Sequence, residues 1–169
     1  MTEPEPVQVD GPVLEAFGRF VTAWAFIDRM ITSAFTNMIR AERGLAFVVT
    51  QNVMASTVQG WLRTTTNFAF GSDTPEVLEL NAVLAHVDDI RAERNALIHG
   101  LWQRGPEANT ALVQTVRLER REVLKEELIT LADVQELYVD TIHLTNALSA
   151  AFVALGLETA PVDATPHNG

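Results

Sequence analysis

Residues 17–38 read FGRFVTAWAFIDRMITSAFTNM, and the fold class follows from this stretch. Its bulky apolar residues, Phe17, Phe20, Trp24, Ile27, Ile31, Phe35 and Met38, recur at steps of three and four. A strand changes sides at every residue, so only a helix keeps such a series on one side, here over about six turns. Pro12 suits a first helical turn and Gly44 supplies a stop, which predicts a first helix from about Pro12 to Arg43.

The same reasoning extends along the chain. A second helix is predicted over Leu45 to Phe68, with Val49, Val53, Val58, Trp61, Leu62 and Phe68 as apolar contacts. Gly71-Ser72-Asp73-Thr74-Pro75 is a break, after which Thr74 caps a third helix running from Pro75 to about His99. Its inward residues are Leu80, Leu84, Val87, Ile90 and Leu97, and Gly100 is expected to end it in the left-handed conformation. Leu101 to Arg104 and Ala111 to Glu119 flank a turn at Gly105 to Asn109 and read as a β-hairpin, with Val123 to Ile129 left open as a third strand. The last helix starts at Thr130 or Leu131. Its stripe of Leu131, Val134, Tyr138, Thr141, Thr145, Leu148, Phe152 and Leu155 runs to a stop at Gly156. The prediction is therefore an all-α antiparallel four-helix bundle with a small β-hairpin insert between the third and fourth long helices. The long stripes of the first and last helices suggest a homodimer.

Composition narrows the function classes. Of 169 residues, 47% are hydrophobic and 20% charged, which excludes global disorder and predicts one domain over residues 12–158. The acidic, Pro-containing segment 1–11 and the segment 159–169 are expected to be disordered tails. The start of the chain lacks the basic and apolar regions of a secretory leader, and no apolar run is long enough to span a bilayer. Together these predict a soluble, cytoplasmic protein without a membrane association. Cysteine is absent, which removes disulfide and thiolate chemistry. A net charge of −10 argues against non-specific coating of nucleic acid. Yet between Arg91 and Lys125 seven basic residues face four acidic ones, a basic island compatible either with a local phosphate site or with simple solvation.

One segment reads as chemistry: Arg94-Asn95-Ala96-Leu97-Ile98-His99-Gly100, at the end of the third helix. Extending the inward seam Val83, Val87, Ile90 by four lands on Arg94, a guanidinium that is costly to bury unpaired. It must meet an acid, a phosphate, a partner chain or an edge of the bundle. Arg91, Asn95 and His99 stack at steps of four on a neighbouring face. At the helix C-terminus the macrodipole favours the imidazolium while Arg94 opposes it, a balance suited to a general acid or base. Asn95 could orient the imidazole or bind a phosphate oxygen, and Arg94 suits bidentate phosphate contact. The structural alternative is that Arg94 pairs with a buried acid, Asn95 caps backbone and His99 completes the last carbonyls.

Arg94, Asn95, three intervening residues and His99, extended through Gly100, Leu101 and Trp102, resemble the signature of the HEPN superfamily (higher eukaryotes and prokaryotes nucleotide-binding domain). That signature is an Arg, four to six intervening residues and then a His, with a polar residue, often Asn, directly after the Arg, late in a long helix. The resemblance implies a helical bundle that dimerises to bring two motifs together across a cleft. It implies a metal-independent endoribonuclease of the toxin or phage-defence type, needing no cofactor. His99 would then act as general acid/base for attack by the ribose 2′-hydroxyl, Arg94 would hold the scissile phosphate, and Asn95 would position the pair. Other members are non-catalytic modules that bind a nucleotide, RNA or a partner protein. The partners implied are RNA and a cognate antitoxin or nucleotidyltransferase.

Around the motif, Arg91 and Arg104 are candidate substrate contacts, and Trp102 could stack a base or pack the core. His86, Asp89 and Glu93 form at most a loose surface cluster, with no second histidine at a ligand spacing, so no metal site is expected. His143 shares a polar face with Glu136 and Asp140 and reads as solvated, and Trp24 and Trp61 as core or dimer interface. No Gly-rich phosphate loop or nucleophile motif is present.

Overall fold

The computed structural model describes residues 9–40, 48–117 and 122–157, with side chains placed outside 116–124. The chain is mostly helical with a small antiparallel sheet. In order come α1 (Gly11–Met38), α2 (Ala55–Phe70), α3 (Pro75–His99), β1 (Leu101–Arg104), β2 (Thr110–Arg117), β3 (Glu122–Thr130) and α4 (Leu131–Ala154). No helix among the described residues is long and apolar enough to cross a membrane.

The periodic stripes form the buried faces. On α1, Phe20, Trp24, Ile27, Ile31 and Phe35 are buried. On α3 the same holds for Val77, Leu80, Leu84, Val87, Ile90 and Leu97, and on α4 for Val134, Thr141, Leu148 and Phe152. At full burial such side chains contribute roughly 1.5–3 kcal/mol each, which lets the stripes dictate helix orientation.

The boundaries differ from expectation at two places. Helix α1 ends at Met38 rather than near Arg43, because Arg40 takes a left-handed φ of 50° that no α-helix accommodates. The predicted second helix is interrupted: residues 48–50 are helical, residues 51–53 turn, and α2 begins at Ala55. Residues 41–47 lie outside the described set. The predicted apolar face of α2 is also only partly right. Val58 and Leu62 are buried, but Phe68 is 92% exposed, and the other buried positions are Gln59 and Thr66. Both are satisfied: Gln59 Nε2 donates to the Leu84 carbonyl at 2.8 Å, and the Thr66 hydroxyl donates to the Leu62 carbonyl at 2.9 Å.

The insert has three strands, in the order β1-β2-β3, all antiparallel. Val123 to Ile129, left open by the sequence, lies within β3, with Leu128 opposite Leu112 and Ile129 opposite Ala111. Asn109 takes φ 59° in the β1–β2 turn, a conformation its short side chain tolerates, and its carbonyl accepts from the Leu131 N–H at 2.9 Å. Thr130 and Asp133 form a reciprocal cap for α4: the Thr130 N–H donates to Asp133 Oδ2 at 2.7 Å, and the Asp133 N–H donates to Thr130 Oγ1 at 3.2 Å. Thr74 precedes α3, but its hydroxyl donates back to the Gly71 carbonyl at 3.0 Å rather than capping forward.

The described residues belong to two compact units. One comprises residues up to 25 together with 86–144; the other comprises 26–85 and the residues from 145. The first unit holds the sheet and the Arg94 segment. Its small core of Val13, Ala16, Ala111 and Val134 is covered by Val9, Phe17, Trp102, Ile129 and Leu131. Val9 and Asp10, assigned by the sequence to a tail, are therefore engaged: Asp10 Oδ2 accepts the Asn109 N–H at 2.7 Å. In the second unit, the Phe35 and Trp61 rings meet at a tilt of 40° with centroids 5.6 Å apart, and Asn81 donates to Asn67 at 3.0 Å.

Candidate functional site

The candidate site is built on the last turns of α3 and the chain reversal into β1. Gly100 joins them without a positive φ, against the expectation from sequence. A side chain is excluded there by close approach. A Cβ would run into Val113 Cγ1 of β2 and come within 2.8 Å of the Ala96 carbonyl oxygen. The glycine thus allows the sheet to close on the helix end and fixes where His99 emerges.

His99 occupies the last turn of α3, exposed, and makes no hydrogen bond with any described residue. Asn95 lies one turn earlier, about 6 Å along the axis and on the same face. Its Oδ1 accepts from Arg94 Nη1 at 2.8 Å. Arg94 is half-buried, and its Nε is buried with no hydrogen-bond partner. No carboxylate among the described residues pairs with it. A guanidinium held by one neutral acceptor, with one donor unsatisfied, is a local anion site in electrostatic terms. Arg94 and His99 are five residues apart, roughly 140° around the helix, so within one chain their side chains leave from different faces.

Arg91 is only 11% exposed at its side chain. Its Nη1 donates to Asp88 at 2.9 Å, and its guanidinium sits 5.6 Å from the centre of the Trp24 ring. Sequence spacing placed Arg91 on the face of Asn95 and His99, but could not show that Trp24, on α1, lies beneath it. Trp102 is likewise committed to the fold. Its ring packs against Phe17 at 4.8 Å, and its indole N–H donates to the Leu97 carbonyl at 2.7 Å. Arg104 ends β1, about 10 Å of strand beyond Leu101. Its side chain is 70% exposed and lies 3.9 Å from Asp10, so the structure does not bring it to the motif. The arrangement therefore pairs Arg94 with Asn95, sets His99 one turn from Asn95, commits Arg91 and Trp102 to packing, and leaves Arg104 outside.

His86 is exposed, and no group of three or more His, Asp or Glu side chains among the described residues is placed to hold a metal ion. Comparison of the chain with protein-family models, with curated proteins and with solved structures returns no match.

Proposed function

We propose that this protein is an HEPN-like, metal-independent endoribonuclease of the toxin or phage-defence type, acting through His99, Arg94 and Asn95. The observation that supports the reading is the state of Arg94: half-buried, without a carboxylate partner among the described residues, and with an unsatisfied Nε. A structural arginine in that position would be paired with an acid, whereas a phosphate-binding one would not. His99, one turn from Asn95, is exposed and free to exchange a proton with substrate.

In this reading the helices form a four-helix bundle, and two chains pair so that the Arg94 of one approaches the His99 of the other. That arrangement answers the angular separation of the two side chains on one helix. His99 removes the proton from the ribose 2′-hydroxyl, the oxygen attacks the adjacent phosphorus, and the 5′-oxygen leaves with a proton returned to it. A 2′,3′-cyclic phosphate results. Arg94 stabilises the charge on the phosphorane oxygens. A small antitoxin or a nucleotidyltransferase is the partner class that fits this role.

The test is RNA cleavage in the presence of EDTA by the wild type and by His99→Ala, Arg94→Ala and Asn95→Ala. We expect cyclic-phosphate products from the wild type and a loss of about 100-fold or more for His99→Ala. Equal background activity in all four proteins would remove the enzyme. Binding of RNA or a nucleotide that weakens in Arg94→Ala alone would then identify the second reading, a non-catalytic module, which the same unpaired guanidinium favours.

A further inference from the structure

On the face of α3 that carries Ala92, Glu93, Ala96 and Leu97, a cavity of about 640 Å³ lies between α3, β3 and α4. Its floor is apolar, made by Ala96, Leu97, Ile129 and Leu137. Its walls carry five carboxylates, Glu93, Glu127, Asp133, Glu136 and Asp140, against the single cation Lys125. Lys125 is taken by Glu127, and Asp133 caps α4. Glu93, Glu136 and Asp140 have no ion-pair or hydrogen-bond partner among the described residues. Like charges converging on one cavity repel, and among the described residues Lys125 is the one cation that lines it.

The groove adjoins an open sheet edge. In the order β1-β2-β3 the last strand pairs, among the described residues, only with β2. Lys125, Glu127 and Ile129, alternate residues of β3, line the cavity, so they share the inner face of the sheet. A further strand laid against β3 would send every second side chain into the same space. With Glu126 and Glu127 on β3 and Glu93, Glu136 and Asp140 in the groove, a basic strand meets net attraction at this edge.

From this open edge and this charge complementarity we infer that β3 and the acidic groove dock an extended, basic segment of a partner protein. Its backbone pairs with β3, and its alternate lysine or arginine side chains run along the apolar floor to Glu93, Glu136 and Asp140. This is strand addition with specificity supplied by alternate side chains. It does not depend on the ribonuclease reading, since none of its residues belongs to the Arg94 site.

The experiment uses the full chain and a short synthetic peptide alternating lysine with threonine, with binding measured by calorimetry and amide shifts by NMR. Binding is expected with amide shifts concentrated at residues 125–129. It should weaken about tenfold or more in the triple variant Glu93→Gln, Glu136→Gln, Asp140→Asn. The charge-matched surface variant Glu76→Gln, Glu79→Gln, Asp89→Asn should retain affinity within about twofold. A peptide N-methylated at alternate amides should lose binding, because it cannot complete the ladder. The proposal is overturned by equal weakening in both triple variants, by undiminished binding of the N-methylated peptide, or by no binding. Displacement of the peptide by spermidine of equal affinity would overturn it too, since the cavity would then be a small polycation site. Thermal melts of the triple variant separate loss of the surface from loss of the fold. Removing mutual repulsion should leave the melting temperature unchanged or raised.

Discussion

The indole N–H of Trp102 donates to the carbonyl of Leu97 at 2.7 Å, across the junction where α3 gives way to β1. Carbonyls in the last turn of a helix lack partners within it, so this bond closes the helix end from outside. With its ring against Phe17, Trp102 ties the motif-bearing turn to the core of its unit. Trp102→Phe should keep the ring packing and lose the bond, lowering stability by about 1 kcal/mol. Trp102→Ala should cost about 3 kcal/mol or more. Denaturant titration of both variants checks the difference.

Gly100→Ala should destabilise by roughly 1–3 kcal/mol, because the new methyl meets Val113 Cγ1 and the Ala96 carbonyl. Shortening the partner in Gly100→Ala/Val113→Ala should recover part of the cost, leaving the backbone clash. A double-mutant cycle on thermal melts measures the coupling. Additive effects would show that the two positions do not meet.

Arg91 and Arg94 should separate by phenotype. Arg91→Ala loses an ion-pair hydrogen bond to half-exposed Asp88 and the contact of a largely buried guanidinium with Trp24, and should cost about 1–3 kcal/mol. Arg94→Ala removes a guanidinium with an orphaned donor, so stability should change by less than about 1 kcal/mol while RNA cleavage or binding falls. Paired melting and activity assays decide it. The opposite pattern would make Arg94 the structural residue.

Thr130→Ala should lower stability by about 1 kcal/mol through loss of the N-cap of α4, with Thr130→Ser close to wild type. Chemical denaturation of the two variants is sufficient. The Asp133 carboxylate also bonds the Thr130 hydroxyl at 2.8 Å, so Asp133→Ala should cost a similar amount.

Much of this architecture was legible in the chain. The stripes of α1, α3 and α4 named their own buried faces, and Gly105 to Asn109 marked the β1–β2 turn. The face of α2 was harder to read, because two of its buried positions, Gln59 and Thr66, are polar and satisfied by acceptors that a hydrophobic pattern does not reveal. At the motif, spacing placed Asn95 and His99 one turn apart on α3. It said nothing of the partners of Arg91, Arg94 and Trp102.

Sequence alone determined the inward sides of α1, α3 and α4 and the position of Arg94, Asn95 and His99 near a helix end, because period and capping depend on neighbours within a turn or two. Tertiary structure decided that Trp24 lies under Arg91, that Val113 crowds a side chain at Gly100, and that Arg94 meets no acid among the described residues. Such relationships join residues remote along the chain or depend on everything packed around one atom. Close packing, rather than any local rule, selects them.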